Sequence, residues 1–179
     1  MKKLLISLCL LCPYFTLMGD EVKSQLGEIG KLLFEDDLNQ KEIKAEWQAQ
    51  QGASWTIANG VLKGVASSPE FQAKREHHKG TSPSMSLVLP MKDVLVKMDF
   101  RISGGLNGVH FGFNDGTTKE GTGHVCRVIL TTKKGSAMQR DYNSQVKGDK
   151  DEVLLKDDWV VQTDKWTTLI FEVKGSGFA

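Results

Sequence analysis

From Val94 to Ile102 every second residue is apolar: Val94, Val96, Met98, Phe100 and Ile102 alternate with Leu95, Lys97, Asp99 and Arg101. A period of two puts the two sets on opposite faces of an extended chain, so the run predicts a strand with one face in a core and one mostly polar face. Val109, Phe111 and Phe113 repeat the pattern against His110, Gly112 and Asn114, and with Ser103, Gly104 and Gly105 between them the two runs read as a hairpin. Asn114, Asp115 and Gly116 supply the next turn. Residues 123–131 form a further strand rich in Val, Ile and Leu, and Thr167–Lys174 another, with Leu169, Phe171 and Val173 on one face. Shorter strands are predicted at residues 31–34, 54–57, 61–65 and 85–89, the middle two joined by Asn59-Gly60, a dipeptide suited to a two-residue hairpin turn.

Strands at this spacing, with 18 glycines and only 4 prolines, predict an all-β fold: an antiparallel sandwich or jelly roll with many tight turns. The only helical spacing is Val22, Leu26, Ile29 and Leu33, interrupted by Gly27 and Gly30; it predicts a short helical lead-in over residues 20–30, ahead of a single β domain at 31–179. The charged stretches at 71–80 and 144–158 read as surface loops.

Composition changes this picture at three points. Lys2 and Lys3 precede an apolar run from Leu4 to Leu11, the pattern of an export leader, with cleavage expected after Gly19 even though Leu17 is bulky for that signal. Cys9 and Cys12 each follow a Leu, where a lipoprotein signal has a smaller residue. No later stretch approaches the roughly 20 apolar residues of a membrane span, so a periplasmic or extracellular location is expected. Losing Lys2 and Lys3 with the leader takes the basic count from 23 to 21 against 22 acidic residues, and a near-neutral chain offers no electrostatic footing for nucleic acid. Cys126 then remains alone, so no internal disulfide can form and stability must come from packing.

Several motifs in order resemble one family. Leu33-Phe34-Glu35-Asp36-Asp37-Leu38, the run Trp55 to Gly64 around Asn59-Gly60, Asp99-Phe100-Arg101-Ile102 and Asn107-Gly108-Val109-His110-Phe111-Gly112-Phe113-Asn114 are similar to segments of the 3-keto-disaccharide hydrolase domain family. Gly123-His124-Val125-Cys126-Arg127-Val128-Ile129 and Trp166 extend the resemblance, which runs from about residue 31 to residue 174. It implies a concanavalin-like jelly roll, similar to family 16 glycoside hydrolases, and hydrolysis of a sugar derivative. In that family further strands follow the one matching residues 169–173; here the chain stops at Ala179, so the resemblance implies a sandwich lacking its last strands.

The residues add less chemistry than the resemblance. Retaining hydrolysis needs two carboxyl groups about 5 Å apart, whereas the best strand offers Asp99 between Lys97 and Arg101, an arrangement that holds a carboxylate ionised and suits a salt-bridged surface. Asp99, Arg101, His110 and Arg127 are the candidate ligand-binding residues, as groups on one sheet face that could hydrogen-bond sugar hydroxyls; the alternative is a solvated strand face. Among Trp47, Trp55, Trp159 and Trp166, Trp159 lies in a polar loop and is the candidate stacking platform, the others reading as core or rim packing. His77 and His78 point apart on an extended chain and cannot grip one ion. His124 and Cys126, two apart, could face the same way, and Asp36 and Asp37 fall short of a calcium shell. With no phosphate loop, dinucleotide fingerprint or Ser-His-Asp signature, no cofactor or metal is expected. Two functions remain open: a glycan-associated hydrolase by resemblance, or a non-catalytic carbohydrate-binding or cell-envelope module.

Overall fold

A computed structural model of the chain describes residues 22–89, 91–114, 124–142, 146–175 and 177–179. The expected leader and the turn at Asp115 and Gly116 lie outside the described residues. Among the described residues the fold is all-β and antiparallel throughout, with strands β1 (Trp47–Gln50), β2 (Ser54–Ala58), β3 (Val61–Val65), β4 (Ser84–Leu87), β5 (Val94–Phe100), β6 (Gly108–Asn114), β7 (His124–Thr131), β8 (Ser136–Arg140), β9 (Glu152–Asp157), β10 (Thr167–Lys174) and β11 (Gly177–Phe178). A four-stranded sheet, β6-β7-β8-β9, packs on a three-stranded one, β11-β10-β5, and β1-β4 and β2-β3 form two further two-stranded sheets.

The alternation read from the sequence decides which faces meet. Phe100 and Leu169 from the smaller sheet and Val109, Phe111 and Val128 from the larger pack around the buried Ile102, Leu130 and Val161. Two aromatic contacts span the gap, Phe100 against Phe111 edge-on at 5.1 Å and Phe113 tilted against Phe171 at 4.7 Å, both in the range favoured by ring quadrupoles. Asn59 and Gly60, at φ 54° and 70°, make the β2-β3 turn as the dipeptide predicts.

Pairing differs from expectation at one place that matters for function. The runs at 94–102 and 108–114 do not form a hairpin: β5 pairs with β10, Phe100 opposite Thr167 through Val94 opposite Val173, and β6 pairs with β7. Gly104 and Gly105, at φ 67° and 80°, turn the chain from one sheet to the other instead, and Ile102, 3% exposed, fills the corner between them. Alternation specifies a face but not a neighbour, so a glycine turn between two alternating runs serves a sheet-to-sheet corner as well as a hairpin.

Three smaller corrections follow. Residues 144–158 are not all loop, since they contain β9, and β8 precedes them. Within 71–80 the chain first finishes a short helix, α1 (Pro69–Ala73), whose Ser68 cap accepts from the Phe71 amide and whose first position is Pro69. Residues 31–34 form no strand; Phe34 packs edge-on against Trp47 at 6.0 Å, with the Lys44 ammonium 5.1 Å from its ring.

The lead-in is not helical over its described part, residues 22–30. Gly27 and Gly30 make a helix expensive there, and a competing contact replaces it. Glu172 on β10, only 6% exposed, accepts from the Ser24 hydroxyl and, at 2.7 Å, from the Gln25 amide. The Ser24 bond outweighs burial and, with the Gln25 and Leu26 amides and Lys174, holds the Glu172 carboxyl below the usual glutamate value. A depressed folded pKa contributes stability that is complete above the unfolded value of about 4.3 and is lost as pH falls through the lower folded value. Amide protection at Gln25 and Leu26 is therefore expected to hold through neutral pH and to fall away below about pH 4, while Glu172→Gln weakens it at every pH and removes the step. Protection in that variant that still tracked acid pH would show that another group secures the segment.

Candidate functional site

The outward face of the four-stranded sheet carries a cluster of charged and polar side chains around Arg127. Register places Gly112 on β6, Arg127 on β7 and Gln139 on β8 side by side. A Cβ at Gly112 would come within 2.7 Å of the Cys126 carbonyl oxygen and 3.1 Å of the Arg127 Cβ, so the glycine provides the room in which Arg127 lies down. One Arg127 terminal nitrogen lies 2.7 Å from Asp141 Oδ1 and 3.6 Å from Asp151 Oδ2. Gln139 Nε2 donates to the same Asp141 oxygen at 2.9 Å. Asp141 is buried, its side chain 4% exposed, while that of Asp151 is 45% exposed and its Oδ1 accepts from the Tyr142 amide. The Arg127 Nε is buried without a hydrogen-bond partner, a cost that the two carboxylates at the tip offset.

His110 stands on the same face, two residues along β6 from Gly112, with its ring exposed. Partial burial and the Arg127 charge both lower its pKa from the ordinary imidazole value, and Asp141 opposes them. It is thus a neutral hydrogen-bonding group at pH 7, able to donate from one ring nitrogen and accept at the other. His110 also lines an open depression of about 360 Å³ with Ser82, Asn107, Thr131 and the turn residues Gly105, Leu106 and Gly108.

The five candidate residues separate. Arg127 and His110 are on this outward face. Asp99 and Arg101 belong to β5 and its continuation, and their side chains point away from the shared core on the other sheet, so they occupy the opposite outer surface of the sandwich. There Asp99 accepts from Thr168 Oγ1 at 2.6 Å across the β5-β10 pair, and Arg101 lies over the Trp166 ring at 5.1 Å. The expectation that all four share one face fails because β5 and β6 lie in different sheets. Trp159 follows β9, 50% exposed, with its carbonyl accepting from Ser136 Oγ and its amide donating to Asp157.

The remaining candidates resolve into structure. Asp36 accepts from the Leu38 amide, Gln40 Nε2 and Trp47 Nε1 and lies 3.4 Å from Lys44 Nζ; burial pushes its pKa up, and these partners overcome that to hold it below the usual carboxylate range. A carboxylate held by three donors and a neighbouring ammonium organises its loop. Trp55 donates to the Ser84 carbonyl from the rim. Cys126 is buried on the core side of β7, and burial first, then Asp141, push its thiol up to about 11, the environment of a small buried hydrophobe. The His124 side chain lies outside the described residues, and among those described no three His, Cys, Asp or Glu gather as a metal site.

Chemically the cluster presents donors and acceptors of the kind that pair with hydroxyl groups, and among its described residues no two accessible carboxyl groups face each other. Asp141 is turned inward against Arg127 and Gln139, so of the two carboxylates only Asp151 can reach a ligand. The sequence gives no notice of Gln139, Asp141 and Asp151, because their roles depend on the β7-β8 register and on loops that meet only in the fold. Comparison with known proteins found no matching family model, no similar curated protein and no similar solved structure.

Proposed function

We propose that this chain is an exported, glycan-associated domain that binds a sugar derivative through the outward face of the four-stranded sheet without hydrolysing it. The observation that carries the reading is the position of His110. It lines the depression with Ser82, Asn107 and Thr131 and stands on the same sheet face as the Arg127-Asp141-Asp151 cluster, so that donors and acceptors share one rigid surface. The motif resemblance supports the sugar class, and the leader pattern supports export. The inward Asp141 argues against the hydrolysis that the resemblance implies, because a retaining mechanism needs a second accessible carboxyl group.

Titration calorimetry of the full chain against a panel of neutral di- and oligosaccharides, including 3-keto derivatives, is the test. At least one is expected to bind without turnover, with His110→Ala weakening it roughly tenfold, the worth of one or two lost hydrogen bonds. Release of monosaccharide would favour hydrolysis; binding indifferent to His110→Ala, or no binding at all, would refute the site.

A further inference from the structure

We propose that the outer edge of β9 is a self-association surface that pairs antiparallel with β9 of a second copy. β9 ends the four-stranded sheet, and among the described residues no strand takes up its second edge. All six of its residues are exposed, including three consecutive apolar ones, Val153 at 58%, Leu154 at 48% and Leu155 at 58%. Backbone donors and acceptors along such an edge are a template for another strand, and apolar side chains there gain from being covered.

Charge complementarity selects a second copy as the occupant. The strand reads Glu152-Val153-Leu154-Leu155-Lys156. An antiparallel pair with its two-fold axis at Leu154 sets Leu154 against Leu154, Val153 against Leu155 and Glu152 against Lys156, the last two matches each occurring twice. Moving the axis between Leu154 and Leu155 sets Val153 against Lys156 and Glu152 against Asp157. Moving it between Val153 and Leu154 sets the charged Glu152 against the apolar Leu155 and leaves its only charge match, Lys156, to Asp151, which lies outside the strand. Edge charges that usually forbid pairing here permit one register. The bulge that leaves Leu154 without a β8 partner, between Leu155 opposite Met138 and Val153 opposite Gln139, keeps the ladder short, so side-chain matching carries the selectivity. Because both copies use the same edge, the assembly closes as a dimer and does not propagate.

Sedimentation velocity of the full chain over a wide concentration range, with circular dichroism to confirm folding, tests this. A monomer–dimer equilibrium is expected. Leu154→Lys, which puts two like charges on the axis, is expected to raise the dimer dissociation constant roughly tenfold or more. Glu152→Lys is expected to do the same, and Lys156→Glu added to it restores the opposite-charge match and with it the dimer. The added change separates pairing across the dyad from loss of the Arg140 contact, since Glu152 also accepts from Arg140 Nε at 3.3 Å and the second substitution does not repair that bond. A monomer at all concentrations, open-ended polymers, a dimer indifferent to Leu154→Lys, or failure of the charge swap to rescue would each overturn the proposal.

Discussion

Phe171→Ala is expected to cost about 3–5 kcal/mol, the usual penalty for emptying a buried aromatic site. Phe171 is 3% exposed in the middle of β10 and lies against Phe113 of the opposite sheet, 4.7 Å between ring centroids. Its neighbours Val96, opposite it on β5, and Phe113, opposite Cys126 on β7, sit on paired strands whose backbones limit how far the site can close. For a domain of this size the loss corresponds to a melting temperature lower by roughly 6–20 °C, against a total stability of about 5–15 kcal/mol. Ile170→Ala is the control, because the adjacent side chain faces outward at 44% exposure and substitutions at such positions usually stay within roughly 0.5 kcal/mol. Urea denaturation of both variants reads the difference. Equal losses would mean that the two sheets do not close on each other through β10.

That asymmetry between neighbouring residues is legible in the sequence. The alternation from Val94 to Ile102 and over Thr167–Lys174 fixes the inward set, and Asn59-Gly60 fixes the β2-β3 turn, since in each case the signal is local: a period of two, or a pair of residues that tolerate positive φ. Partnership is not local. Whether β5 lies beside β6 or beside β10 depends on how the Gly104-Gly105 turn is aimed, and both answers bury the same residues. β9 is hard to see for the opposite reason: as an edge strand exposed on both faces it has no reason to alternate, and its charges read as loop. The helical spacing of Val22, Leu26 and Ile29 fails because a buried acceptor some 150 residues away, Glu172, takes the donors of the segment.

The site shows the same division. His110 and Arg127 stand out as polar residues at outward positions of apolar strands, and both prove to face outward on one sheet. Asp99 and Arg101 satisfy the same local rule and face outward too, on the other sheet. The local rule has no means of telling the two surfaces apart. Asp141, the residue that makes Arg127 lie flat, follows β8 without any periodic signal, and its burial arises because its amide donates to the Val125 carbonyl and draws the loop against β7.

Arg127→Met is expected to destabilise the fold by roughly 2–3 kcal/mol, less than the 3–5 of a fully buried pair because the guanidinium side chain is about a third exposed and already screened. The loss comes mainly from what is left behind: among the described residues, buried Asp141 keeps the hydrogen bond from the Gln139 side-chain amide but no counter-charge. Adding Asp141→Asn to that variant removes the uncompensated charge while preserving shape and an acceptor for Gln139, so the double variant is expected to recover at least about 1 kcal/mol, a non-additivity within the range for residues in direct contact. Simple additivity would show that the pair is not coupled and that Asp141 has other support. The double variant also separates the two roles of Arg127. If its fold is restored while saccharide affinity stays low, the guanidinium contacts the ligand or aims Asp151 at it; if affinity returns with stability, Arg127 serves only to hold the sheet face on which His110 works.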